Sequence, residues 1–191
     1  METINPTTQD VEDSINTILR YIGEDPAREG LQETPSRIIR MFSEIFRGYK
    51  EKEKPKITTF ENSLNSEEMI YDSGNFYSMC EHHILPFYGT YVVSYIPKND
   101  GRIIGLSKIA RIVDYCSAKL QLQERLSIEI ADMLEDAIGE NNGIAVYMQG
   151  EHLCKTMRGV KKKGLMRSFH FRGKFKTDLQ SRQEFLSNIR S

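Results

Sequence analysis

The sequence predicts an α+β fold: an antiparallel four-stranded sheet backed by helices, with an N-terminal helical arm ahead of it. Three observations lead there. Apolar residues recur at three- and four-residue spacing in the first fifty positions and again between Ser107 and Gly139, as amphipathic helices require. Four other segments, Glu68 to Tyr77, Thr90 to Ile96, Gly143 to Met148 and the stretch from Leu165, are rich in Ile, Tyr, Val and Phe and are bounded by Gly, Asn and Pro, as strands are. Between the first helices and the first strand lies a charge run, Lys50-Glu51-Lys52-Glu53-Lys54-Pro55-Lys56, which reads as a solvated connector. The division expected is therefore an arm and linker over 1–55 and a catalytic body over 56–191.

Taken in order, Val11, Ile15, Ile18, Leu19 and Ile22 form the stripe of a first helix closed by Gly23. Thr34-Pro35 supplies a cap and a first-turn proline to a second, with Ile38, Ile39, Phe42, Ile45 and Phe46 on its buried side up to Gly48. The first two strands flank a turn at Cys80. Beyond the turn at Pro97-Lys98-Asn99-Asp100-Gly101, Ser107 is placed to cap a helix through Ile109, Ile112, Val113 and Cys116, with Cys116 read as a small buried hydrophobe. Another helix runs from about Gln123 to Gly139, and the strand 143–148 leads directly into His152 and Cys154. In the last strand Leu165, Phe169, Phe171 and Phe175 share one side, with Arg167 as an intruder, while Met166, Ser168, His170, Arg172 and Lys174 take the other. Asp178 can cap a terminal helix that buries Phe185, Leu186 and Ile189.

Composition bounds the function. A chain of 191 residues with 39% hydrophobic content can bury a core without disulfides. No apolar run approaches the roughly 18 residues of a membrane span, and Met1-Glu2-Thr3-Ile4-Asn5-Pro6 lacks a signal-peptide pattern, so a cytoplasmic protein with no membrane partner is expected. Three cysteines, an odd number, point to a reducing compartment where thiolates are available to metal. A net charge of −1 argues against a nucleic-acid partner; any anion site must come from local Lys and Arg.

The chemistry concentrates in two clusters. Cys80-Glu81-His82-His83 and His152-Leu153-Cys154 offer a C-x-x-H pair and one distant Cys, and three protein ligands are the usual number for a catalytic zinc that keeps a fourth position for water. Cys80, His83 and Cys154 are the candidate Zn2+ ligands. His82 cannot easily bind the same ion, because successive side chains diverge, so it and His152 are free for proton transfer. A purely structural zinc with a further ligand is the alternative reading. Ser107, Lys108 and Arg111 lie at and just beyond a helix N-terminus, which favours an anion, and Arg158 closely follows the second cluster. Glu124, beside Gln123, either complements the helix dipole or accepts two N–H bonds from a guanine edge.

These residues bear an extensive resemblance to the GTP cyclohydrolase I family. It is carried by Glu24-Asp25-Pro26-x-Arg28-Glu29-Gly30-Leu31, Thr34-Pro35-x-Arg37, Cys80-Glu81-His82-His83, Gly105-Leu106-Ser107-Lys108-x-x-Arg111-Ile112-Val113, Leu122-Gln123-Glu124-Arg125-Leu126, His152-x-Cys154-x-x-x-Arg158-Gly159-Val160 and Arg182-x-Glu184-Phe185-Leu186. The resemblance implies a zinc enzyme that opens the purine ring of GTP to give dihydroneopterin triphosphate and formate. It implies Cys80, His83 and Cys154 as ligands, His82 and His152 in proton transfer, and Glu124 with Gln123 at the guanine edge. Ser107, Lys108, Arg111 and Arg158 are then triphosphate contacts, joined by Arg37 from an adjacent subunit. The implied fold is the tunnelling fold, assembled into a homodecamer of two pentameric rings. The stretch Gly164-Leu165-Met166-Arg167-Ser168-Phe169-His170-Phe171-Arg172 departs from the family habit of small Ser and Thr residues there.

Overall fold

The computed structural model describes residues 5–189, and the chain divides into two compact units after Arg47. In the first unit, helix α1 (Thr8–Tyr21) opens with a reciprocal capping box: Thr7 Oγ1 accepts from the Asp10 N–H and the Asp10 carboxylate accepts from the Thr7 N–H. Gly23, at a φ of 94°, turns the chain out of it. Helix α2 (Thr34–Ile45) starts at Pro35, whose missing N–H costs nothing in the first turn. The pair pack on one another through a face that buries Ile15, Leu19 and Pro35.

In the second unit, Gly48 donates its N–H to Ala118 O, and a side chain there would meet Tyr115 O at 2.5 Å. Tyr49 takes the Leu120 N–H on its hydroxyl. The charge run therefore begins within the second unit, directly after two residues bonded to Ala118 and Leu120. The elements that follow are β1 (Thr59–Glu61), β2 (Ile70–Cys80), β3 (Pro86–Pro97), β4 (Arg102–Ile104), α3 (Lys108–Ser117), β5 (Leu120–Gln121), α4 (Gln123–Ile138), β6 (Asn141–His152), α5 (Leu153–Thr156), β7 (Leu165–Phe171), α6 (Lys174–Thr177) and α7 (Leu179–Asn188).

The fold is α+β, and its main sheet has five strands where four were expected, in the order β5-β2-β3-β6-β7. The four long strands are antiparallel. The fifth is the two-residue β5, which lies parallel to the end of β2 by pairing Leu120 with Met79 and Gln121 with Cys80. Two residues are too short for an alternation pattern, so sequence periodicity does not reveal them. β1 and β4 form a separate two-stranded sheet.

One face of the main sheet buries Phe76, Phe87, Val93, Tyr95, Ile144, Val146 and Met148 against Ile109, Ile112 and Cys116 of α3 and Leu126, Ile130 and Leu134 of α4. The other buries Val92, Ile96, Ala145 and Tyr147 against Phe175 and Phe185. Each fully buried side chain of this size contributes about 1.5–3 kcal/mol, so the helices of both faces hold the sheet. Ser107 precedes α3 as expected, but its hydroxyl makes no capping bond, because its backbone is not extended as a side-chain cap requires. Asp178 does cap α7, accepting from the Ser181 N–H at 2.8 Å.

Candidate metal centre and active site

Three strand ends meet at one end of the sheet. Cys80 is the last residue of β2, Phe87 near the start of β3 is paired with His152 at the end of β6, and Cys154 follows in α5. The turn after Cys80 is tight. Cys80 N–H bonds Leu85 O at 2.9 Å, Ile84 N–H returns to Cys80 O at 2.8 Å, and Ile84 sits in the left-handed region at a φ of 51°, which a β-branched residue rarely adopts. His83 is held close to Cys80 by its own N–H, which bonds Cys80 O at 3.3 Å.

One ligand atom from each of Cys80, His83 and Cys154 lies within 4.8 Å of the others, and the Cys80 Sγ to His83 Nδ1 distance is 3.9 Å. A tetrahedral zinc with ordinary S and N bonds separates such atoms by roughly 3.6 Å, so the donor set fits that ion in both chemistry and spacing. Burial and the neighbouring Cys80 raise the Cys154 thiol above its usual range, a cost that a bound cation reverses by stabilising the thiolate. Cys116, expected in the core, is buried there and its thiol is pushed up to about 12.

The spare imidazoles occupy different environments. His82 is largely exposed, at 63% of its side chain, with its ring 6.2 Å from that of His83 and nearly perpendicular to it. His152 is half-buried and stacks on Phe87 at 4.5 Å, with the rings 6° from parallel. Its pKa is lowered, chiefly by burial, against a pull upward from Glu124. The His152 Nε2 lies 2.9 Å from Gln123 Oε1.

Arg158 is brought to the cluster too, with Nη1 2.7 Å from His83 Nε2. Glu124 is exposed in the first turn of α4. Gln123 is not: only 1% of it is exposed, and its carboxamide reaches Met148 O, Met166 O and Ser168 Oγ inside the protein. Ser107, Lys108 and Arg111 sit at the start of α3, where Lys108 and Arg111 make no ion pair with any other described residue. Arg37 belongs to the first unit, where it pairs with Glu33.

Sequence reasoning missed the support beneath the metal turn. Arg125 donates to the Glu81 carboxylate, to Gln121 Oε1 at 2.9 Å and to Leu120 O at 3.0 Å. Gln121 in turn donates to Cys116 O and Glu129. The i, i+4 spacing of Gln121 and Arg125 was visible in the sequence, but the partner Glu81 is far away along the chain and comes near only through the β2–β5 pairing.

With this geometry in hand, comparison with known proteins gives a consistent result. The family model described as GTP cyclohydrolase I matches residues 11–190. A protein named GTP cyclohydrolase 1 from Thermoanaerobacter pseudethanolicus is 48% identical over 182 residues, covering 95% of this chain and 96% of that protein. Its namesakes from Streptococcus agalactiae and Geobacillus kaustophilus are 44% and 43% identical, covering 96% and 95% of this chain and 98% and 96% of theirs.

Proposed function

The chain belongs to the GTP cyclohydrolase I family, and from that membership we propose a zinc-dependent enzyme that converts GTP and water into 7,8-dihydroneopterin triphosphate and formate. Its product feeds tetrahydrofolate, other pterins or 7-deazaguanines. The observation that carries the zinc is the convergence of Cys80, His83 and Cys154 beside two histidines that are not needed as ligands. When bound, such an ion supplies a water activated for attack at neutral pH.

The residues around it divide the remaining work. His82 is exposed next to the ligand turn and exchanges protons with the opening ring. His152, half-buried and stacked on Phe87, serves as the second proton carrier. Glu124, exposed at the start of α4, accepts two N–H bonds from the guanine edge. The triphosphate is taken by Ser107, Lys108 and Arg111 at the N-terminus of α3 together with Arg158. Arg37 of an adjacent subunit completes that site. The body is a tunnelling fold that closes into two pentameric rings, with the N-terminal helices of residues 8–45 packed on a neighbour. No described helix is long and apolar enough to cross a membrane, and three unpaired cysteines suit a cytoplasmic location.

Incubation of zinc-loaded protein with GTP, followed for formate and for the pterin chromophore, tests the proposal. Both products are expected together. Tight GTP binding without either product would make the protein a zinc-stabilised binding module instead.

A further inference from the structure

The buried carboxamide of Gln123 has more partners than a substrate contact can spare. Its Nε2 donates toward Met148 O at 3.2 Å, Met166 O at 3.2 Å and Ser168 Oγ at 3.1 Å. Two of these are carbonyl oxygens, which only accept, so the end of the amide that faces them must be the NH2. That leaves Oε1 as the atom facing His152, and an amide oxygen only accepts. The His152 Nε2, 2.9 Å away, must therefore carry the hydrogen. Turning the ring over within its stack on Phe87 would put a carbon in that place and leave Gln123 Oε1 without its N–H.

The sheet is built to admit this bond. Gly150 of β6 has no side chain, and a Cβ there would stand 2.8 Å from Gln123 Oε1 and 3.2 Å from the Phe76 ring. The space that glycine leaves is the space the oxygen occupies. Met148 and Met166 anchor the amide from β6 and β7 at once, so two strands of the sheet determine the position of one atom beside the site.

We propose that Gln123 is a positioning residue that holds His152 as its Nε2–H tautomer, leaving Nδ1, which has no hydrogen bond among the described residues, as the nitrogen that exchanges protons with the substrate. This deepens the proposed function and rests on it for the part His152 plays. The hydrogen bond acts as the orienting partner does in other histidine-based sites: it decides which nitrogen carries the proton, and a wrong tautomer is costly to turnover.

The test uses zinc-loaded full-length chain labelled with 15N in its histidines and studied by solid-state NMR at pH 8, where an ordinary imidazole is neutral. The His152 signals are identified by their loss in His152→Ala. The native chain is expected to show a single Nε2–H tautomer at His152. Gln123→Met should abolish that single tautomer while zinc content is unchanged. The same variant should lower kcat about tenfold or more and leave KM for GTP within about twofold. Gly150→Ala, which keeps every polar group of Gln123 but displaces Oε1, should act in the same direction and serves where Gln123→Met does not fold. A native Nδ1–H tautomer, or an unchanged His152 spectrum in both variants, would overturn the proposal. So would a tenfold rise in KM at constant kcat, which would make Gln123 a substrate contact. The NMR arm needs no turnover, so a chain inactive on GTP sinks the proposed function without deciding this bond.

Discussion

Cys154 and His82 stand on either side of the distinction between holding an ion and moving a proton. Cys154 offers one of three donors grouped within 4.8 Å, whereas His82 lies outside that group with an exposed ring. Cys154→Ala is expected to lose zinc and formate release together. His82→Ala should retain its zinc, measured by elemental analysis, and lose turnover by about 10²-fold or more. Equal zinc loss in both variants would overturn these roles. His170, on β7, makes a separate prediction about stability. Burial, and then the cation of Arg172, lower its pKa below the usual 6.5, while Asp132 and Glu135 pull the other way and Lys176 adds to the lowering. Above about pH 6.5 the folded and unfolded chains are both neutral there. Below it the unfolded chain takes up the proton first, so stability falls with pH until the folded pKa is reached. The ring also accepts a hydrogen bond from Arg172 at 2.9 Å, which its protonation would break. His170→Gln should therefore flatten the decline in urea midpoint between pH 6.5 and 5; an unchanged slope would show that His170 does not contribute.

At the scale of the element, the turn between β2 and β3 stores strain next to the ligands. Ile84 is held with φ at 51° although its side chain is more than half exposed, so little burial offsets the cost. A left-handed conformation costs an ordinary residue roughly 1–2 kcal/mol, and glycine returns about 0.5–1 kcal/mol of that in chain entropy. Ile84→Gly should consequently stabilise the zinc-free protein by up to about 1 kcal/mol, read as a higher denaturant midpoint at fixed protein concentration. A lower midpoint would mean that the Ile84 side chain packs more usefully than its exposure suggests. The support beneath the turn is an ion pair and hydrogen bonds: Arg125, on α4, ties Glu81 to β5, so the ligand loop is braced from a strand of only two residues.

For the whole molecule, the sheet leaves two edges. Among the described residues β2 has a strand partner on its outer side only at Met79 and Cys80, which leaves Ile70 to Ser78 without one there, and β7 has no outer strand partner. Exposed edges of this length invite pairing with other chains unless something covers them. Joining the edge of one copy to that of the next leaves no free edge if the ring closes, which is the physical case for the proposed pentameric rings. Light scattering coupled to size exclusion is expected to give a decamer. Arg37→Ala should then retain zinc and assembly but lose activity through weaker GTP binding. A fully active monomer or dimer would sink the shared site.

Much of this protein was determined locally. A thiol and an imidazole three residues apart are candidate donors to one ion by their spacing, and the helices α1, α3 and α4 follow from 3.6-residue periodicity, with Gly23 and Gly139 after α1 and α4. Candidate donors and most element positions could thus be named before any fold was known. Other features depend on which segments meet. The fifth strand is two residues of pairing that has no pattern of its own, and Ser107 occupies a cap position without the backbone angle that would let its hydroxyl bond. Gln123 shows the limit most clearly. Sequence places it next to Glu124 on a helix N-terminus, but adjacent helical residues point about 100° apart, and one faces solvent while the other enters the sheet. Only the crossing of α4 over β6 and β7 supplies the carbonyls that orient its amide, and only Gly150 leaves room for its oxygen. A side chain's neighbours along the chain are set by covalent bonds; its neighbours in space are set by packing, and the state of His152 depends on the second kind.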